Sequence, residues 1–278
     1  MPVLSAVLAA GGFLTLPMAG NGAIEAIMVR PMRLKIEYEG VEPVPVLGRI
    51  RTAYATLTAD LSPQSYKILA RVRTEGMMGW FVHYDLRLIA TGMMTKIGLR
   101  PARYDSTNTD GKKDRHVEID FTPGEVFAFA TPRWGSPGVV EATREQKLEA
   151  RDPLSAIVQI ALSAEATPQA PCGGPVRIFD GKHRYDLRLK FSERFAWKSK
   201  VYSGPVIKCD VEYVEIAGFG PKSADRAGKD KADMLWSNLI LAEMNEGTFT
   251  PPLKLEGRSK KRGKLTIQAT RLSYLPAD

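Results

Sequence analysis

Apolar and polar side chains alternate with a period of two along most of this chain. Leu34, Ile36 and Tyr38 alternate with Lys35, Glu37 and Glu39, and Tyr66, Ile68, Ala70 and Val72 with Lys67, Leu69 and Arg71. Trp80, Val82, Tyr84, Leu86 and Leu88 run against Phe81, His83, Asp85 and Arg87. Val117, Ile119 and Phe121 follow the turn Thr109-Asp110-Gly111-Lys112 and oppose His116, Glu118 and Asp120. Such alternation puts one face of an extended chain in a core and the other in water, so each run predicts a strand. Further strand signals cover 126–130, 239–241 and 265–272.

Between Asp152 and Phe219 the period changes twice. Leu154, Ile157, Val158 and Ala161 recur at helical spacing behind Asp152-Pro153. The Asp carboxylate accepts first-turn N–H groups, and proline at the first helical position sacrifices no hydrogen bond. This predicts an amphipathic helix ending in the region of Pro168 and Pro171. The period then returns to two, with Tyr185, Leu187, Leu189 and Phe191 set against Arg184, Asp186, Arg188 and Lys190. Asp180-Gly181 is the turn dipeptide that joins them to Val176 and Ile178 as a hairpin. Ile207, Cys209, Val211 and Tyr213 alternate with Lys208, Asp210 and Glu212, so Cys209 faces inward. Roughly a dozen antiparallel strands and one amphipathic helix predict an all-β fold. A sheet that long must hide its edges, which favours a spiralled or open β-barrel with the helix as plug or side cover.

With 44% hydrophobic residues the chain has the material for a sizeable core. A formal charge of +8 and a pI near 9.4 favour acidic partners, without choosing among nucleic acid, anionic lipid and lipopolysaccharide. Pro2 to Ile24 carries no charged side chain and ends in small residues around Asn21-Gly22-Ala23. Residues 1–26 are therefore read as a secretory signal that lacks the usual positive start, and 27–278 as a single barrel-like domain. The expected compartment is the periplasm, with no integral membrane span after cleavage. Residues 220–233 read as a mixed-charge surface loop. In the basic loop 257–264, Lys260, Lys261, Arg262 and Lys264 suit anionic headgroups, or simply keep a hairpin tip soluble. That run is too short and too poor in aromatics for a nucleic-acid surface.

No motif for catalysis accompanies these elements. His83, His116 and His183 are the only histidines, each in a strand run on the face assigned to water and none with metal-ligand spacing. Neither a metal nor a cofactor is expected. Ser155 follows DPL rather than a nucleophile-elbow sequence, and Cys172-Gly173-Gly174-Pro175 does not stand between a strand and a phosphate-binding helix. Carboxylate pairs such as Glu118 and Asp120 share a strand face, where solvation is the simpler reading than acid–base work. The two cysteines, Cys172 in a Gly-Pro turn and Cys209 on a strand, allow one intramolecular pair closing a loop of about forty residues, or else two inert buried thiols.

DPLSA opens the helix, and a cysteine, FDG, RYDL on a strand, YSGP, a second cysteine with a tyrosine four residues on, and IAGF follow it. Together these segments resemble the DUF3108 family of exported proteobacterial proteins. ARVRTEG, LRPARYDS and VEIDF are similar to the family's upstream strands, so the resemblance covers about residues 33–274. The resemblance implies a periplasmic β-rich protein with no assigned enzymatic activity. Its implied shape is similar to the open barrels of envelope lipoprotein carriers and envelope-integrity proteins. It also makes Cys172 and Cys209 the candidates for a single pinning disulfide. The expectation is a non-catalytic protein that supports the cell envelope and holds a lipid, or a lipidated or peptide partner, in a concave interior. Its alternatives are a scaffold with a filled core that binds envelope proteins or peptidoglycan, and a carboxylate-based hydrolase of an envelope polymer.

Overall fold

The computed structural model describes residues 30–44, 48–74, 84–109, 114–134, 140–162, 166–167, 169–220, 234–245, 249–259 and 263–276. The first arm comprises β1 (Met32–Val44), β2 (Gly48–Leu61), β3 (Ser65–Thr74), β4 (Asp85–Thr95), β5 (Gly98–Thr109), β6 (Arg115–Thr122) and β7 (Glu125–Thr131). Two helices follow, α1 (Arg144–Leu148) and α2 (Pro153–Ala161). The second arm comprises β8 (Val176–Phe179), β9 (Arg184–Lys198), β10 (Ser203–Ala217), β11 (Met234–Ala242), β12 (Pro252–Ser259) and β13 (Gly263–Pro276). All thirteen strands belong to one antiparallel sheet in the order β7-β6-β5-β4-β3-β2-β1-β13-β12-β11-β10-β9-β8. The arms meet where β1 pairs with β13, from Met32 opposite Pro276 to Val41 opposite Thr266.

The sheet is open at β7 and β8 yet strongly curled. Laid flat, β4 and β9 would stand eight strand spacings apart, roughly 38 Å. Instead both line one cavity. At the ends of the curl the β8–β9 turn docks on the inner face of β6. A Cβ on Gly181 (φ +98°) would lie 2.7 Å from Val117 Cγ1 and 3.1 Å from Trp134, so no side chain fits there. Both sheet edges are managed locally. Arg151 N–H donates to Arg177 O and Arg151 O accepts from Phe179 N–H, which covers β8. Beside β7, Arg144 pairs with Glu125 at 3.4 Å. The buried Arg184 reaches back to Gln146 O at 3.0 Å, so α1 is tied to the second arm as well.

The expected all-β open barrel is the fold observed, with three differences. Alternation did not single out β2, β5 or β12, and the expected basic loop 257–264 is instead the end of β12 and the start of β13 on either side of residues 260–262. Helix α1 also went unmarked, although Thr143 and Gln146 form a complete capping box at its start. The amphipathic helix stops at Ala161, well before Pro168, because Thr250 takes its last carbonyls. The Thr250 N–H donates to Ala161 O at 2.7 Å and its hydroxyl to Ile160 O at 3.0 Å. Residues 1–26, residues 221–233 of the mixed-charge stretch and the Trp80–His83 part of the third run lie outside the described residues.

Candidate functional site

The interior is built on α2, which lies across one end of the curled sheet. Asp152 caps it, its Oδ1 accepting from Leu154 N–H and Ser155 N–H at 3.0 and 2.9 Å. Its Oδ2 accepts from the Ser155 hydroxyl, which in turn meets the Tyr66 hydroxyl at 2.7 Å. Gln159 holds the β4–β5 turn, accepting from Leu99 N–H and donating to Ile97 O. Asp152, Ser155, Tyr66 and Gln159 are buried, so these bonds satisfy side-chain polar atoms that lie inside the fold. Burial pushes the Asp152 carboxyl up to about 6, against the lowering effect of the hydrogen bonds it accepts.

Above this floor the inward face loosens. On β3 the inward residues run from Tyr66 and Ile68, both buried, to Ala70 and Val72, which are half-buried. On β2, Leu61, Ala59 and Leu57 are buried while Ala55 and Ala53 are half-buried, and on β4 Ala90 is buried while Leu88 and Leu86 are half-buried. The exposure therefore increases away from α2, which makes a floor at the helix and a mouth at the far strand ends. Small residues create the space. Ala55 and Ala70 stand where a larger side chain would fill it, and Ile157 projects from α2 with 38% of its surface free.

The result is a cavity of about 260 Å³ walled by α2 and nine strands. Leu57, Ala70, Val72 and Leu88 form one side, Leu187, Leu189, Val211, Trp236 and Leu239 the other, with Tyr38, Leu255 and Ile267 at the back. Thr56 and Lys254 also border it. By register they belong to the outer face, Thr56 between Glu37 and Arg71 and Lys254 opposite Gln268, so they offer backbone rather than a polar tip. The Tyr38 hydroxyl is spent on Pro252 O at 3.1 Å. The interior thus combines a packed core, with Leu34, Ile36, Ile68 and Ile119 fully buried, and a cavity whose wall is almost wholly hydrocarbon.

Cys172 and Cys209 are joined as a disulfide with Cα atoms 6.1 Å apart. The bridge sits in an apolar cluster with Ala156, Val176, Ile178, Leu189 and Ile207, immediately behind the cavity wall at Leu189. It ties the segment after α2 to β10.

The other sequence candidates fall elsewhere. Lys264 shares the Glu256 carboxylate with Lys254, at 3.1 and 2.8 Å, while Lys260, Lys261 and Arg262 lie outside the described residues. His83 lies outside them too. His183 occupies the turn before β9 rather than a strand face, stacked on Phe219 at 4.6 Å. His116 does lie on the outer face, but cross-strand pairing brings it to Asp105 and Glu118, their ligand-capable atoms all within 4.8 Å of one another. Spacing along the chain did not reveal this group, because Asp105 comes from the neighbouring strand. Its cation is already supplied by Arg103, which contacts Asp105, Glu118 and Asp120 at 2.9 to 3.0 Å. His116 and then Arg103 hold the Glu118 carboxyl below the usual range, the opposite of what a general acid needs.

The family model described as "Protein of unknown function (DUF3108)" matches residues 35–234. No curated protein matches the chain. Among solved structures, a beta-barrel-like protein of the domain of unknown function DUF1849 from Brucella abortus is similar over 90% of this chain and 98% of its own, at 9% identity and a TM-score of 0.46.

Proposed function

This chain belongs to the DUF3108 family, and from that premise we propose that it is a non-catalytic periplasmic protein that supports the cell envelope by holding an acyl chain inside its curled sheet. One observation carries the reading: a mouth-to-floor cavity of about 260 Å³ lined by hydrocarbon. An apolar cavity of about 150 Å³ stays dry and takes up benzene. A larger one that is open at one end suits an alkyl chain better than water. The compartment is supported by the disulfide, which persists in oxidising surroundings, together with the uncharged apolar run from Pro2 to Ile24. The hydrolase alternative loses its support because Glu118 and Asp120 are both engaged by Arg103.

A second reading, an envelope protein-interaction scaffold, is favoured by Phe127 and Phe129. They are 48% and 59% exposed on the outer face of the edge strand β7. The packed core around Leu34, Ile36 and Ile119 fits this alternative, and the open cavity beside it favours the first reading.

Native mass spectrometry of protein gently purified from the periplasm, followed by organic extraction, tests the first reading. The expected result is a bound acyl lipid in wild type and its loss in Ala70→Trp, whose indole would occupy the cavity while the melting temperature stays close to wild type. A ligand-free wild-type mass that also fails to take up added dodecyl-chain amphiphiles would overturn it. Co-purification of a protein with that empty form would move the assignment to the scaffold.

A further inference from the structure

On β5 and β6, beside the cavity wall that β4 forms, two buried polar atoms are left unsatisfied. Asn108 Oδ1 and Arg115 Nε are buried side-chain atoms with no hydrogen-bond partner. They are register partners on β5 and β6. Alternation places both on the inner face, because Val117 two residues on is core and His116 between them points outward. Leu86 on β4 stands opposite Asn108, and the parallel inner row one step nearer the floor is Leu88, Ser106 and Val117. Leu88 itself lines the cavity. Two strand spacings and two residues separate Leu88 from Arg115, about 12 Å. The Arg115 guanidinium lies over the Trp134 ring at 5.8 Å, which holds it without using a donor toward an acceptor atom. A cationic donor and a carbonyl acceptor left unpaired inside a protein are costly, so a native structure keeps them where a partner arrives.

Resting on the acyl-chain reading above, we propose that Asn108 and Arg115 form a headgroup site at the cavity mouth. The ligand is then an amphiphile whose headgroup carries both an oxyanion, taken by Arg115, and an adjacent hydroxyl or ammonium, which donates to Asn108. A phosphate bearing a glycerol or ethanolamine group has both features. A fatty-acid carboxylate has only the first, and a monoacylglycerol only the second. The chain enters past Leu86 and Leu88 toward α2, and the headgroup stays at the strand ends.

Three probes of equal chain length separate these contributions when titrated into the full disulfide-bonded protein: lauroyl lysophosphatidylglycerol, laurate and monolaurin. The first should bind most tightly. Arg115→Gln should weaken it and laurate by about tenfold, as expected for a lost charge-assisted bond, and leave monolaurin within twofold. Asn108→Leu should weaken lysophosphatidylglycerol and monolaurin severalfold and spare laurate. Arg115→Lys keeps the charge and should recover part of the loss. Equal weakening of all three probes by Arg115→Gln would mark a structural residue and overturn the headgroup site, as would an unchanged lysophosphatidylglycerol affinity; either leaves the acyl cavity standing. Failure of all three to bind wild type would overturn the cavity reading and the headgroup site together.

Discussion

Asp152 shows how one residue can serve two ends at once. The Asp-Pro pair marks a helix start in the sequence, and Asp152 does cap α2. Pairing along the chain did not reveal that this carboxylate would be fully buried beside Ser155 and Tyr66. Its raised value, about 6 against an ordinary 3.8, has a consequence for stability. Below about pH 4 folded and unfolded chains both carry the proton. Between pH 4 and 6 the unfolded chain gives it up while the native one keeps it. Stability therefore falls as pH rises through this window, by up to about 3 kcal/mol for two pKa units, and stays reduced above it. Asp152→Asn keeps an acceptor for the helix N–H groups and removes the titration. Urea unfolding from pH 4 to 7 should show wild type losing stability relative to this variant, and parallel curves would contradict the buried carboxylate. Ala55 and Ala70 make the complementary point. Their small side chains open the cavity, and alanine is also why β2 lacks a clear apolar–polar contrast although its inward row runs Ala53, Ala55, Leu57, Ala59, Leu61. The candidate site was hard to read in the sequence because it is made by missing bulk.

Among the elements, β1, β3, β6, β8 and β10 carry alternations that match their observed faces, since period two is a local property of extended chain, whereas on β9 Arg184 is buried and Phe191 exposed, against the expected faces. The end of α2 is not local. Its last carbonyls are satisfied by Thr250, about ninety residues away, so the helix stops there rather than at the prolines. The disulfide acts at this same scale. It links the segment behind α2 to β10 across a sequence separation of 37, and the chain-entropy model gives roughly 4 kcal/mol for such a loop. Replacing both cysteines by alanine should lower the urea midpoint accordingly. Adding reductant should lower the wild type to a similar midpoint and leave the variant unchanged. A reductant-insensitive wild type would show that the bridge contributes little.

For the whole molecule, the decisive feature is the curl that brings β4 opposite β9 and the β8–β9 turn onto β6. Gly181 is the contact where that closure is tightest. Gly181→Ala combines a positive φ with a Cβ 2.7 Å from Val117, and should cost about 2 kcal/mol or more by thermal or urea unfolding. A neutral effect would mean that the two ends of the sheet are not held together there. From the sequence alone came the strand-rich class, the inward faces, the start of α2 and the inward aspect of Cys209, because each depends on neighbours two to four residues apart. The cavity, the pairing of Asn108 with Arg115, the Asp105–His116–Glu118 group and the length of α2 were decided only by tertiary structure. Each depends on which strand lies beside which, and on how far a thirteen-stranded sheet twists before its ends meet.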